Sequence, residues 1–177
     1  MQKIIISLMV LLMTPLIVQA DHHATPGPGE GSFTTLMVQA PDVSAYIKHL
    51  KNNPELFSAF KASAAGVCVT KTGQDYPGEM FVWNAFPDVT GAMEVTTAYD
   101  PDKAPKDLAK LRTPKYSLAW KPLKSFVLSP GFERVTRVKI KPENVPAYIA
   151  AATKLEAAIR DAGHDFNMGI FQPLGGG

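Results

Sequence analysis

Between Ser32 and Ala40 the apolar residues Phe33, Leu36, Met37 and Val38 stand among threonines, a pattern that predicts a β-strand. Pro41 and Asp42 then interrupt it, and Asp42 is suited to cap a helix. Val43, Tyr46, Ile47 and Leu50 recur at i, i+3, i+4 and i+7, one apolar face of a helix, with Lys48 and Lys51 off that face. Asn53-Pro54-Glu55 can restart the helix, because proline is tolerated at a first helical position. Leu56, Phe57 and Phe60 carry its buried side on to Ala65, and Gly66 is expected to end it.

Val67 to Thr70 reads as a second strand, Gly73 to Gly78 as a turn, and Met80 to Phe86 as a third strand, apolar on both faces except at Asn84. Pro87-Asp88 opens a second helical region through Val89, Ala92, Met93 and Val95, which resumes around Leu108 and Leu111 after the prolines at 101 and 105. Tyr116, Leu118 and Trp120 alternate with Ser117, Ala119 and Lys121, which predicts a fourth strand. The order is β-α-β-β-α-β, so residues 32–130 are expected to form an α+β, ferredoxin-like unit.

The pattern then returns about a hundred residues later, too long a period for a solenoid and suited to a duplicated domain. Pro41-Asp42-Val43-Ser44-Ala45-Tyr46-Ile47 is answered by Pro142-Glu143-Asn144-Val145-Pro146-Ala147-Tyr148-Ile149, each block following a strand-like run that starts at Phe33 or Phe132. Val145, Tyr148, Ile149, Ala152, Leu155 and Ile159 predict a helix ending near Gly163, and Phe166 to Phe171 a further strand. Residues 131–177 thus read as an incomplete second unit, strand-helix-strand, of a longer two-repeat protein. The apolar strand edge this leaves predicts self-association, or completion by a missing second half.

Ahead of the repeat, Lys3 precedes an apolar stretch from Ile4 to Val18, and Val18-Gln19-Ala20 suits signal peptidase, so residues 1–20 read as a cleaved signal peptide. The run is short for a membrane span and contains Pro15, so no stable membrane anchor is expected and the protein is read as periplasmic or secreted. Residues 21–31, rich in glycine and proline, read as a flexible leader. The formal net charge is +2 and no Lys/Arg run builds a basic surface, which argues against a nucleic-acid partner. A single cysteine, Cys68, rules out an intramolecular disulfide.

The order of elements, and the two blocks ending in Ala45-Tyr46-Ile47 and Ala147-Tyr148-Ile149, resemble the dimeric α+β barrel superfamily. Its members include antibiotic-biosynthesis monooxygenases, EthD-like proteins and NIPSNAP-like proteins. The resemblance covers about residues 32–172 and is one of architecture, with no invariant catalytic string to match. It implies two units packed sheet to sheet, a small apolar or aromatic ligand, and cofactor-independent oxygenation as a permitted chemistry. Whether the chain is an enzyme stays open, and the alternative is a non-catalytic interaction or scaffold module. Haem-degrading members combine Asn, Trp and His. Trp83 could match that tryptophan, but no histidine lies between Asp88 and Thr113, which argues against haem.

Four residues are the candidate ligand contacts. Trp83 and Asn84 offer an aromatic wall and an orienting amide, and Tyr116 and Trp120 share one face of the fourth strand. The competing reading makes all four core residues. Tyr46 and Tyr148 read as packing residues, and Cys68, alternating with valines and lacking a basic neighbour, as an inert thiol. No Ser/His/Asp signature, phosphate-cradling loop or zinc spacing is present, although Asp161, His164 and Asp165 could touch one metal. No cofactor is required by this reading. Cleavage after Ala20 would expose Asp21-His22-His23, whose terminal amine, two backbone amides and His23 imidazole suit the square plane of Cu(II) or Ni(II).

Overall fold

The structure is a computed structural model and describes residues 30–176. It is an α+β fold built on one five-stranded antiparallel sheet. The strands are β1 (Ser32–Gln39), β2 (Ala64–Val69), β3 (Glu79–Phe86), β4 (Thr113–Lys124) and β5 (Ile170–Gly176), in the order β2-β3-β1-β4-β5. The helices are α1 (Val43–Asn52), α2 (Glu55–Ser58), α3 (Val89–Ala98), α4 (Lys106–Leu111) and α5 (Val145–Asp161). The signal peptide and most of the leader read from the sequence, with Asp21, His22 and His23, lie outside the described residues.

Local chemistry accounts for the element ends. Asp42 caps α1 by accepting from the Ala45 amide at 2.9 Å, and Asp88 caps α3 by accepting from Gly91 at 2.8 Å. At the far end of α5 the Gly163 amide donates to the Arg160 carbonyl and the His164 amide to that of Ile159, with Gly163 at φ +87. That is the left-handed Schellman termination, which a side chain would strain. Pro114 and Pro122 lack the amide a ladder requires, and both lie beside register shifts of β4, one opposite Val38 and one toward Lys124.

One face of the sheet is covered. Val38, Met80 and Val82 from the strands pack with Tyr46 and Leu50 of α1 and Leu108 of α4 to form the main core. Alternate residues of β1, Phe33, Thr35 and Met37, point to the opposite, open face.

The structure differs from the sequence reading at three points. Gly66 does not end a helix; it lies inside β2, while α2 is a single turn and Lys61, at φ 55, reverses the chain before the strand. The reason is that a Cβ at Gly66 would fall 2.6 Å from the Trp83 indole, so the glycine lets that ring lie against the strand. Residues 132–140 repeat the apolar rhythm of β1 but form no strand. In the sheet β1 is flanked on both sides, by β3 and β4, whereas 132–140 has no strand beside it among the described residues. Last, the strand expected at Phe166 to Phe171 lies later, at Ile170–Gly176, where it extends the same sheet along β4.

Candidate functional site on the open sheet face

Three consecutive register rows carry the open face. The first holds Ala64, Ala85, Phe33 and Trp120; the second Gly66, Trp83, Thr35 and Leu118; the third Cys68, Phe81, Met37 and Tyr116. Trp83, Tyr116 and Trp120, read from separate parts of the sequence, therefore share one surface, on the side away from α1 and α4. Asn84 does not join them. Neighbours on a strand face opposite ways, so Asn84 turns toward the helix side with Thr34, whose hydroxyl is 3.5 Å from its amide nitrogen. The amide and the indole thus cannot grip one ligand from the same side of the sheet.

Polar contacts orient the aromatic groups. The Trp120 indole N–H donates to the Thr35 hydroxyl at 2.9 Å, so Thr35 stands between the two tryptophans of adjacent rows. At the Phe33 end the rings of Phe33, Trp83, Phe126 and Phe171 gather, with Phe33 centroids 6.1, 5.6 and 5.6 Å from the other three. Edge-on and tilted arrangements of this kind suit the ring quadrupoles. The cluster leaves Phe33 buried and Trp83 half-buried.

Residues 131–140 cross this face as a strap. Cys68 Sγ lies 3.6 Å from Glu133 Oε2, and Arg137 Nη2 donates to the Tyr116 hydroxyl at 3.1 Å. Both anchoring side chains are odd-numbered, as expected of extended chain with one side toward the sheet. Phe132, Val135 and Val138 nonetheless stay exposed, so the strap touches the face at its ends without sealing it.

The Cys68 thiol is held in its neutral form. Burial, then the negative charge and hydrogen bond of Glu133, push its pKa up to about 12, so the inert reading of this thiol agrees with its surroundings. Tyr46 is 2% exposed in the helix-side core, whereas its repeat counterpart Tyr148 is exposed. Among the described residues no three His, Cys, Asp or Glu side chains converge to hold a metal, and Asp161, His164 and Asp165 are each exposed. No helix of the described residues is long and apolar enough to cross a membrane. A shallow depression of ≈ 430 Å³ on α3, lined by Thr90, Met93, Glu94, Thr97 and Ala98, includes none of the candidate residues.

Sequence reasoning missed Thr35, Phe126, Phe171 and Arg137 as members of the site. Thr35 had a signal, since it shares the parity of Phe33 and Met37 on its strand. Phe171 belongs to a strand the sequence did signal, but its neighbours depend on strand order, and Phe126 and Arg137 come from segments whose placement over the sheet has no local pattern. No protein family matches the chain, and no curated protein or solved structure does.

Proposed function

We propose that this is a small-molecule-binding α+β protein whose open sheet face, with Trp83, Tyr116 and Trp120, receives a small apolar or aromatic ligand. The observation that carries the proposal is the convergence of these three side chains in consecutive rows, next to the Thr35 hydroxyl and beneath an incompletely seated strap. An apolar surface with a few fixed polar groups is the usual composition of a ligand site. Asn84 is a helix-side residue in this reading, available to a ligand only between sheet and helices.

The architecture proposed is a ferredoxin-like unit of the dimeric α+β barrel type, and the order β2-β3-β1-β4 supports it. Cofactor-independent oxygenation is the chemistry such a face would permit, on a ligand carrying its own reactive carbon. Export to the periplasm or outside follows from the signal-like residues 1–20. In that event Asp21-His22-His23 would form a Cu(II) or Ni(II) site, tested by calorimetric Cu(II) titration of the exported form and its His23→Ala variant; equal affinities end that part of the proposal.

The test of the ligand face is tryptophan fluorescence across a panel of naphthols, quinones and short aromatic acids, with native mass spectrometry for a co-purified molecule. A saturable change that Trp83→Leu or Trp120→Phe weakens supports the proposal. Unchanged emission across the panel sinks it.

A second reading has its own observation. The exposed Phe132, Val135 and Val138 of the strap and Leu155 of α5 favour an interaction module that self-associates. Sedimentation separates the two: a monomer over a wide concentration range removes this reading and leaves the ligand face untouched.

A further inference from the structure

The helix-side core holds a charge for which the described residues supply no opposite one. Arg112 follows α4 and leads into β4, and its side chain turns inward, leaving the residue 3% exposed. Nη2 donates to the Tyr99 hydroxyl, while Nε and Nη1, both shielded from water, meet no hydrogen-bond partner among the described residues. Among the described residues the ion pairs join Lys103 to Asp100 and Lys124 and Arg160 to Glu156; none includes Arg112. Tyr46 is close enough to feel its charge, but burial dominates and pushes that phenol up to about 12, so Tyr46 is no counter-ion at neutral pH.

The imbalance has few remedies. A buried carboxyl or lysine can shed its charge by changing protonation, whereas an arginine in a protein stays protonated. Buried charges are therefore paired, and here the balancing charge has to arrive from outside the described core. A guanidinium is planar and matches a carboxylate, and phenol hydroxyls can donate to the same oxygens. The Phe60 ring packs edge-on against Tyr99 at 5.2 Å, and both residues are half-buried, so an apolar ring adjoins the tyrosine that Arg112 meets.

We propose that Arg112, flanked by Tyr46 and Tyr99, binds a small carboxylate anion. The ligand is a short acid, its carboxylate meeting the unpartnered guanidinium nitrogens and its apolar end lying toward Phe60. This site is separate from the open sheet face, because Tyr46 belongs to the core beneath the helices. Either site can stand without the other.

The test uses the full chain in a chloride-free zwitterionic buffer, with sodium acetate and sodium chloride compared at equal ionic strength. Acetate should raise Tm along a saturating curve, by roughly 5–10 °C at a hundredfold excess over Kd in a chain of this length, while chloride leaves it nearly flat. A second readout is the ¹⁵N-edited Nε–H signal of Arg112, distinguishable because Arg134, Arg137 and Arg160 are exposed. It should shift with the same midpoint. Arg112→Met, which keeps the volume and removes the charge, should fold and lose the acetate response. Equal responses to the two salts, an acetate response retained by Arg112→Met, or an unmoved Nε–H signal overturns the proposal. The signal in the unaltered chain decides even where the variant does not fold.

Discussion

Cys68 and Tyr116 stand at opposite ends of one register row, four strands wide, and the same strap passes over both. Three strand spacings make that row about 14 Å, and the four residue-to-residue steps from Glu133 to Arg137, fully extended, reach about 13 Å. The strap thus has the reach to link both ends of the row, across the strands. It has no ladder partner, and its two anchors are a weak sulfur contact and one exposed hydrogen bond.

Such a segment should open long before the sheet does. Brief trypsin treatment of the folded chain is expected to cut first after Arg134, Arg137 or Lys139, and Tyr116→Phe should speed that cut by a few-fold through loss of the Arg137 anchor. Mass spectrometry of the first fragments checks this. Initial cleavage within α1 or α4, at Lys48, Lys51, Lys106 or Lys110, would show that the strap is held more firmly than its contacts imply.

Gly66→Ala should destabilise the fold by about 1–3 kcal/mol, the usual cost of forcing a methyl into a packed site. The added carbon meets the Trp83 ring, not backbone, so the strain can be relieved on one side only, by moving the indole. Denaturant unfolding of Gly66→Ala, Trp83→Leu and the double variant reads this directly. The double variant should be more stable than the sum of the singles predicts, and strict additivity would mean that the two residues do not press on each other.

The elements legible in the sequence are those whose signals are local. Asp42 and Asp88 announce helix starts, the Val145 to Ile159 stripe announces α5, and alternation at Tyr116, Leu118 and Trp120 announces β4. What the sequence hides is set by distant partners. Gly66 looks like a helix stop until Trp83 is laid over it. Residues 132–140 have the composition of a strand, but a strand exists only where another chain segment accepts its hydrogen bonds. In the candidate site the shared parity of Tyr116 and Trp120 was readable along one strand. The company of Trp83 depended on strand order, and the opposite facing of Asn84 followed from the period of two. Arg112 gave no signal, because Tyr46 and Tyr99, which surround it, belong to other elements.

Alkali should weaken the fold in overlapping steps, with Cys68 first and the buried Tyr46 after it. Cys68 and Tyr46 both ionise later in the folded chain than outside it, at about 12 against ordinary values of 9.0 and 10.0. From the lower value upward the unfolded chain has released a proton that the folded chain still holds, so stability falls as pH rises and is lost progressively up to about pH 12. Tm should decline from about pH 9, and Cys68→Ala should delay the onset toward about pH 10, where Tyr46 begins to contribute. A profile flat to pH 11, or an onset that Cys68→Ala leaves in place, would contradict the cause given. The same burial predicts slow alkylation of Cys68 by iodoacetamide at pH 8 in the folded chain, faster after denaturation.

The tie between α5 and the sheet should prove stronger when removed whole than when halved. Lys124 of β4 pairs with Glu156 of α5, their side chains only 12% and 10% exposed, and the Lys124 ammonium also donates to the Met168 carbonyl at 3.0 Å. Arg160 approaches Glu156 from the solvent side at 3.8 Å, too loosely to replace the lysine. Lys124→Met would leave the Glu156 carboxylate buried and nearly alone, a cost of about 3–5 kcal/mol. Lys124→Met with Glu156→Leu removes both charges and supplies apolar volume, and should recover most of that loss. Because Leu155 and Tyr148 leave much of the α5 stripe exposed, this pair and the buried Ala152 carry a large share of the helix's attachment. Hydrogen exchange of the α5 amides should accordingly quicken in the single variant and return toward the original rate in the double. Equal destabilisation by the single and double variants would show that the ion pair itself, and not the stranded carboxylate, decides whether α5 stays docked.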